Sequence, residues 1–191
     1  ASVGKMYTTL AIERELNARG VKADFRATGQ TGLFIAGDGA SVDAVVADFI
    51  SGAAEWLSPA NAPDHWDLIE GQGSLFHPSF AGVTLGLIHG AQPDPIVLCH
   101  EPTRTHMRGL PGWPLPDLNE CLVANLGAAR LTNKAVFCAG VAINTSQLST
   151  DQAARLLSET SEALGLPCVD PMRESDKFEF GGVAPIVDRL I

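Results

Sequence analysis

The hydrophobic positions follow two periods along the chain, one typical of helices and one typical of strands. Apolar residues recur at spacings of three and four in several segments, and helices are predicted to begin near residues 4, 41, 117 and 149, with a helix or a helix-like crossover over residues 79–90. Short apolar or alternating runs between them predict strands at residues 21–28, 66–69, 96–99, 135–143 and 168–170. A last, half-formed helix is expected over residues 185–191. This alternation favours an α/β fold with a mostly parallel, doubly wound sheet between two helix layers.

Residues that start and stop helices mark several of these boundaries. Two predicted starts have the spacing of a capping box, Asp117 with Glu120 and Ser149 with Gln152. Gly20 and Gly165 stand where the first and the last long helix should end. The helix that begins near residue 41 is expected to continue to residue 58.

Polar, glycine-rich segments follow directly on the predicted strands. They read TGQTG, EGQGS, HEPTR and AINTS, and each follows directly on a strand-like run. Because ligands bind at the carboxyl ends of the strands in open parallel sheets, these segments are expected to form one site.

Composition and charge exclude several classes of function. The 191 residues predict one domain, and 13 cations against 22 carboxylates give a net charge of −9 without a basic stripe, so no nucleic-acid partner is expected. No apolar run approaches the ~20 residues of a membrane span, so no membrane partner is expected either. Four cysteines without C-x-x-C spacing indicate free thiols in a reducing cytoplasm.

The first residues resemble the second half of a phosphate-binding loop. The string ASVGK leads into a helix, as in G-x-x-x-x-G-K-[ST], so the chain is expected to begin inside this loop. Met6 stands where the Mg²⁺-binding hydroxyl belongs, with Thr8 and Thr9 further along. An amide after the predicted strand 135–143 could pair with a purine edge. The predicted cofactor-binding residues are Ser2, Val3, Gly4, Lys5, Met6, Tyr7 and Asn144.

Three side chains are candidates for proton transfer. Glu70 ends an apolar strand before a glycine turn, the place where a P-loop fold puts a base or a metal–water ligand. His77 follows the same turn and His100 ends a strand, and a histidine titrates near working pH. The histidine spacing does not match a local zinc site, so no metal is predicted. A structural role for each of these residues stays open.

Two arginines, Arg104 and Arg108, follow a strand in a chain with few cations, which indicates an anionic substrate. Ion pairs with the abundant carboxylates are the alternative. The predicted substrate-binding residues are Gln30, Thr31, Gly71, Gln72, Gly73, Ser74, Glu101, Arg104 and Arg108.

Long strings of this sequence resemble one family over essentially the whole chain. SVGKMYTT, ATGQTG, VDAVVADFISGAAEWL, DHWDLIEGQGSLFHPSFAGVTLGLIHG and LCHEPTR are similar to a P-loop family, formerly of unknown function, that includes D-glutamate N-acetyltransferases. The resemblance implies a P-loop NTPase-like three-layer sandwich, acetyl-CoA as co-substrate and an acidic amino acid, D-glutamate, as acceptor. Family members have two domains, which implies an amino-terminal Rossmann-like domain before residues 1–191 as partner, and a homo-oligomer.

A second, more distant resemblance implies different chemistry. VGK together with EGQG is similar to dethiobiotin synthetase and its relatives, which use ATP and Mg²⁺ to activate a carboxyl group. Met6 favours the acetyltransferase, because a phosphate cradle can hold the phosphates of CoA without catalytic Mg²⁺. A non-catalytic nucleotide-binding module is the third possibility. Direct transfer to the amine is expected rather than an acyl-enzyme on Cys99, whose thiol lies in an apolar strand.

Overall fold

The structure, a computed structural model, describes residues 3–191. Its five strands are β1 (Lys22–Arg26), β2 (His65–Ile69), β3 (Pro95–His100), β4 (Phe137–Ile143) and β5 (Cys168–Val169). Its α-helices are α1 (Lys5–Ala18), α2 (Gln30–Ala36), α3 (Ile50–Leu57), α4 (Ala81–Ala91), α5 (Leu118–Ala129), α6 (Thr150–Leu164) and α7 (Ala184–Val187). No helix within residues 3–191 is long and apolar enough to cross a bilayer.

Local capping signals set several helix ends as predicted. The Asp117 carboxylate and the Ser149 hydroxyl each accept the backbone N–H of the residue three positions on, and Glu120 and Gln152 complete the two capping boxes. Gly165 ends α6 in the left-handed region at φ 62°. These boundaries are confirmed because the capping interactions are made within a single turn.

The predicted helix 41–58 is wrong in its first half. Residues Val42–Ala44 and Ala47–Phe49 form two separate 3₁₀ turns, and only Ile50–Leu57 is α-helical. Val45 and Val46 between the turns have extended ψ angles of 136° and 137°, as β-branched residues favour. The TGQTG segment also differs from the expectation that it only follows a strand as part of the site, because its last three residues already belong to α2.

The sheet lies between two helix layers. A Cβ on Gly140 of β4 would contact Ile186 of α7, whereas the next residue, Val141, lies in a hydrophobic cluster with Leu157 of α6. Since successive side chains point to opposite faces of a strand, α6 and α7 cover opposite faces. Helix α1 shares the cluster of α7 through Leu16. The α/β class and its parallel pairing are confirmed.

Hydrogen bonding divides the strands into two sheets, with the orders β1-β2 and β3-β4-β5. Every strand pair is parallel. Within residues 3–191, β2 pairs only with β1 and β3 only with β4, so β2 and β3 each have one unpaired edge. The single continuous sheet expected from the sequence is therefore interrupted between β2 and β3.

Candidate functional site

A cavity of about 640 Å³ opens at the carboxyl ends of β2 and β3 and continues down between the two strands. Its upper part, which we call the site, is where the amino terminus of α1 meets both strand ends. The site is lined by Val3, Lys5, Glu70, Gly71, Gln72, Gly73, Ser74, His100, Glu101, Arg104, Met107 and Arg108. Most of the predicted site residues are thus brought together, because parallel strands deliver their carboxyl ends to one edge.

The first turn of α1 forms one wall of the site. Gly4 precedes the helix in the left-handed region at φ 93°, and no side chain caps the helix there. The Lys5 ammonium group donates a hydrogen bond to the Gly73 carbonyl at 3.3 Å. Burial lowers the pKa of Lys5, although Cys99 and Glu70 oppose that shift. A helix start with a lysine in its first turn fits a phosphate group.

The hydroxyls that could replace the one missing at Met6 are engaged within α1. Thr8 Oγ1 donates to the Gly4 carbonyl at 3.0 Å, and Thr9 Oγ1 donates to the Lys5 carbonyl at 2.9 Å. Each hydroxyl proton is thus donated to the helix backbone, at a position two or three residues beyond Met6. The side chains around Met6 therefore do not rebuild the usual magnesium corner of a phosphate loop.

Glu70 is a buried carboxylate, 6% exposed, that joins two of the glycine-rich segments. Its Oε2 accepts the backbone N–H groups of Thr28 and Gly29, each at 3.3 Å. A Cβ on Gly32 would lie 2.5 Å from the same oxygen, so only glycine leaves room for the carboxylate there. This contact holds the turn before α2 against the end of β2.

The EGQGS loop is fixed by contacts on both sides. Gln72 Nε2 donates to Thr28 Oγ1 at 3.2 Å, and Thr84 Oγ1 donates to the Gln72 carbonyl at 2.8 Å. Gly73 has φ 67°, and a Cβ there would lie 2.6 Å from a backbone oxygen, which explains the glycine. Thr28, which also donates to the Glu70 carbonyl, is a site-building residue that the sequence placed only within the TGQTG motif.

His77 does not contribute a free base. It is buried at 5% exposure, its Nδ1 accepts the Ser79 N–H, and its Nε2 lies 3.2 Å from the Arg108 carbonyl. Because Nδ1 accepts a hydrogen bond, the proton of the neutral ring is on Nε2. Nε2 therefore donates to the Arg108 carbonyl. We correct the sequence hypothesis accordingly: His77 positions the Arg108 segment and is not among the residues that line the described site.

His100 is better placed than His77 to act as a base. It ends β3, lines the site and is about half-buried. Burial lowers the pKa of its imidazole below the ordinary 6.5, although Glu101 opposes that shift. The ring is therefore neutral at neutral pH and has a lone pair with which to accept a proton.

This lowered pKa predicts a pH dependence of stability. The unfolded chain protonates residue 100 at about pH 6.5, whereas the folded chain does so only at lower pH. The free energy of unfolding should therefore fall as the pH drops from 6.5 toward the folded pKa of His100. Above pH 6.5 the ring is neutral in both states, so the stability that depends on its neutral form should be present in full. His100→Asn should remove it, as urea unfolding across this range would measure. The same substitution at the exposed His106 should leave the slope in place, and equal slopes for wild type and His100→Asn would contradict the assignment.

Arg104 is held by an ion pair with its neighbour Glu101. Its Nε lies 3.0 Å from Glu101 Oε2, and the other oxygen of that carboxylate accepts the Thr103 N–H at 2.9 Å. Burial raises the pKa of Glu101, but the Thr103 bonds and the Arg104 charge outweigh it and keep the pKa below its usual range. Arg104 thus enters the site as part of a charge pair, which the sequence had left open as the alternative.

Arg108 stands on a loop that folds around Met107. The Met107 N–H donates to the Trp113 carbonyl at 2.9 Å, and the side chain of Met107 is 6% exposed. Met107 lines the site beside Leu115 and Pro116. No sequence signal identified Met107, because this proline-rich loop has no periodic pattern.

Several predicted residues do not line the described cavity. Gln30 and Thr31 are exposed on the first turn of α2, and Met6 and Tyr7 are not among the lining residues. Asn144 Oδ1 accepts the Ser146 N–H at 3.0 Å in a local turn, so the hypothesis of purine pairing is not supported by its position. Ser2 lies outside the described residues. Gly4 is not among the lining residues either, although Val3 and Lys5 on its two sides are, and the other predicted binding residues line the site.

The cysteines and the acidic groups are explained without further chemistry. Burial raises the pKa of the Cys99 thiol, which makes it a poor nucleophile. Asp24, His65 and Asp67 form the one described group with metal-binding potential. The guanidinium of Arg26 lies 2.7 Å from Asp67 and 3.6 Å from Asp24, so a cation already pairs with both carboxylates of this group.

Comparison with known proteins places the chain in a family. Residues 1–178 match the family described as "Domain of unknown function (DUF1611_C) P-loop domain". A protein of Tritonibacter scottomollicae, named D-glutamate N-acetyltransferase, is 53% identical over 189 residues, which cover 99% of this chain and 55% of that protein. A protein of the same name from a Pseudoalteromonas species is 52% identical over 173 residues, covering 91% of this chain and 52% of its own length.

A solved structure agrees with this assignment. The crystal structure of a DUF1611 family protein from Anabaena variabilis matches with a TM-score of 0.89 at 35% identity, covering 99% of this chain and 54% of that one. The chain spans about half the length of the relatives that it matches. The match over residues 1–178 and the agreement in fold show that the chain belongs to the DUF1611 family of P-loop domains.

Proposed function

We propose that this chain is the P-loop domain of an N-acetyltransferase that transfers the acetyl group of acetyl-CoA to the amino group of D-glutamate. The observation that carries the proposal is the meeting of Lys5, the start of α1, His100 and Arg108 at one cavity. The two relatives above 50% identity, both named D-glutamate N-acetyltransferase, support it. We further expect the protein to act as a homo-oligomer in the cytoplasm.

The amino terminus of α1 is the proposed anchor for CoA. Its N–H groups and Lys5 would bind phosphate oxygens, as anions are bound at helix starts elsewhere. Met107, Leu115 and Pro116 give the same cavity an apolar wall that fits the pantetheine arm. The residues present therefore suit a ligand with phosphates at one end and a thioester at the other.

The basic groups of the site suit a dicarboxylic amino acid. Arg104 and Arg108 line the cavity on the same loop, and arginine binds carboxylates in a bidentate manner. We assign the contacts with the substrate carboxylates to these two arginines, of which Arg104 is oriented by its ion pair with Glu101. The Glu101 carboxylate would then lie near the substrate ammonium group.

His100 is the proposed base for the reaction. It would take one proton from the ammonium group, since only a neutral amine attacks a thioester. The amine nitrogen then bonds to the acetyl carbon, and the carbon–sulfur bond breaks. The CoA thiolate takes up one proton, a second is released to solvent, and the acetylated amino acid results. Backbone N–H groups of the Gly71–Ser74 turn are the proposed donors to the oxyanion.

Glu70 receives a positioning role instead of the role of base. Its Oε2 is engaged by two backbone N–H groups of the turn before α2. The carboxylate also contributes negative charge close to the Lys5 ammonium group. Both contacts orient the walls of the site around the reacting atoms.

The ATP-dependent synthetase is less well supported. It needs a hydroxyl that binds Mg²⁺ at the phosphate loop, and the hydroxyls of Thr8 and Thr9 are bonded to carbonyls of their own helix. No observation at the site favours it over acetyl transfer. A non-catalytic nucleotide-binding module would differ from the proposed acetyltransferase only in that it forms no product.

An assay by mass spectrometry tests the proposal. Incubation with deuterated acetyl-CoA and D-glutamate should give labelled N-acetylglutamate, both with this chain extended to the length of its relatives and, more slowly, with the chain alone. L-Glutamate and D-leucine serve as controls for chirality and for the second carboxylate. Absence of product with the extended protein would overturn the proposal, and ADP formation that depends on Mg²⁺ and a carboxylate would favour the synthetase.

A further inference from the structure

The helices α3, α4 and α5 form one layer that presents an apolar face to solvent. Ser51 Oγ of α3 donates to the Gly86 carbonyl of α4 at 3.0 Å, and His89 Nε2 of α4 lies 3.2 Å from the Ala128 carbonyl of α5. The side of this layer that is turned away from the sheet is called the outer face. It is defined by six exposed residues, Phe49 and Trp56 at α3, Gly82 and Leu85 of α4, and Val123 and Gly127 of α5.

Helix α4, at the centre of this layer, contains no Asp, Glu, Lys or Arg. Its Thr84, Leu87 and Ile88 line the cavity between β2 and β3, whereas Gly82 and Leu85 are exposed on the other side. A helix that is apolar on every side is normally buried on every side. The composition of α4 therefore indicates that its outer side is covered in the assembled protein.

Each of the three helices carries an exposed glycine that no contact within residues 3–191 requires. A Cβ on Gly52, Gly82 or Gly127 would meet no other group within 4 Å, and none of these glycines has a positive φ. Glycine destabilises a helix relative to alanine, so its presence needs a reason. The close approach of another backbone to the outer face supplies one.

Large apolar side chains lie beside these glycines. Phe49 and Trp56 are about two turns apart with Gly52 between them, and both are 67% exposed. Val123 is 63% exposed and lies about one turn from Gly127 of the same helix. Exposed aromatic side chains are enriched in protein–protein interfaces, where a buried tryptophan often contributes a large share of the affinity. The outer face thus has both projecting side chains and depressions that could receive them.

The charges at the edges of the outer face favour a second copy of the chain as the occupant. Glu55 stands in the last turn of α3 and Arg130 directly follows α5, and no ion pair within residues 3–191 includes either of them. Because both helices lead back to the amino ends of parallel strands, the two charges lie at the same edge of the layer. A twofold axis along α4 would place Glu55 beside Arg130 of the partner subunit. An axis across the helices would place Glu55 beside its own copy, which like charge disfavours.

The remaining charges limit the alternatives. Residues 27–103, which include α3 and α4, contain no Lys or Arg, so an anionic membrane surface is disfavoured as the occupant. At the amino ends of the helices, Asp48 before α3 and Glu120 in the first turn of α5 are both acidic. We therefore expect two such layers to approach most closely at the carboxyl ends of their helices.

We infer that the outer face is the interface of a homodimer. A second copy packs its α5 against α3, its α4 against α4 and its α3 against α5, around a twofold axis that runs along α4. Twofold dimers are by far the commonest oligomers, and the ion pair of Glu55 with Arg130 of the partner subunit forms twice in this one. None of the residues that define the outer face lines the site, so the interface can be tested without turnover.

Charge reversal tests the interface in the chain extended to the length of its relatives. Sedimentation velocity over a range of protein concentrations gives the dissociation constant of the dimer. Glu55→Arg and Arg130→Glu should each raise this constant about a hundredfold, because each brings like charges together twice. The two substitutions combined should restore most of the affinity. Arg14→Glu is the matched control, since Arg14 is exposed on α1 in the opposite layer, and it should leave assembly unchanged.

Gly52→Gln separates the interface from the fold. Glutamine favours a helix more than glycine does and its Cβ has open space, so the melting temperature of the dilute monomer should not fall. The dissociation constant should nevertheless rise at least about tenfold, because the side chain fills the space that the partner helix needs.

A protein that stays monomeric at every concentration would overturn the inference. Protection of α4 from hydrogen exchange in that monomer would identify the other half of the longer protein as the occupant. Charge-reversal variants that assemble like the wild type would also overturn it, because the subunits would then associate through another surface.

Discussion

Lys5→Ala is expected to weaken CoA binding about thirtyfold, the largest effect on binding that we expect from a single side chain. The substitution removes the ammonium group at the start of α1 but leaves the helix N–H groups in place. A hydrogen bond to a charged group contributes about 2 kcal/mol, and each 1.4 kcal/mol corresponds to about tenfold in affinity. Titration calorimetry with CoA measures the change.

Two control variants make this result specific. Lys22→Ala removes an exposed lysine that pairs with Asp64, so it should bind CoA like the wild type. Lys5→Arg keeps the charge and should recover part of the affinity. An unchanged dissociation constant in Lys5→Ala would show that the phosphates of CoA bind elsewhere.

Asp170→Ala is expected to lower the free energy of unfolding by about 3–5 kcal/mol, the usual result of removing one partner of a buried charge pair. Asp170 is fully buried. Its carboxylate accepts the N–H groups of Thr145 at 2.9 Å and of Met172 at 2.8 Å and lies 3.5 Å from Arg173 Nε. Alanine leaves these donors without their acceptor.

Urea unfolding followed by circular dichroism measures this loss. Since a domain is stable by only about 5–15 kcal/mol, Asp170→Asn, which keeps the size of the side chain, provides a milder variant that should still fold. Asp176→Ala changes an exposed carboxylate on the same segment and should have little effect. A loss below about 1 kcal/mol in Asp170→Ala would contradict the structural role assigned to this carboxylate.

Interactions within one turn of chain could be predicted from the sequence, whereas pairing between distant segments could not. The capping boxes at Asp117 and Ser149 depend on residues three positions apart, and both are present. The gap between β2 and β3 depends on which strands become neighbours, and no local pattern carries that information. The alternation of strands and helices nevertheless fixed the fold class, because covering a parallel sheet on both faces requires it.

The same distinction applies to the site. The end of a strand predicts at which edge of the sheet a residue lies, and this brought Glu70, His100 and Arg108 to one cavity. It does not predict what the side chain contacts. His77 is held by Ser79 and the Arg108 carbonyl, and Asn144 is held in its own turn, so neither side chain is available as the sequence predicted.

The register shift between β3 and β4 controls which side of the sheet each residue of β4 faces. Ile96 pairs with Cys138 but Val97 pairs with Gly140, so Ala139 is an extra residue in β4. An extra residue exchanges the two faces for everything that follows it in its strand. Gly140 consequently makes room for Ile186. Insertions and deletions within β4 before Ala139 therefore change the seating of α7 against the sheet, whereas those in the loop directly after β4 change only that loop. Sequence changes of equal length thus have unequal consequences on the two sides of Ala139.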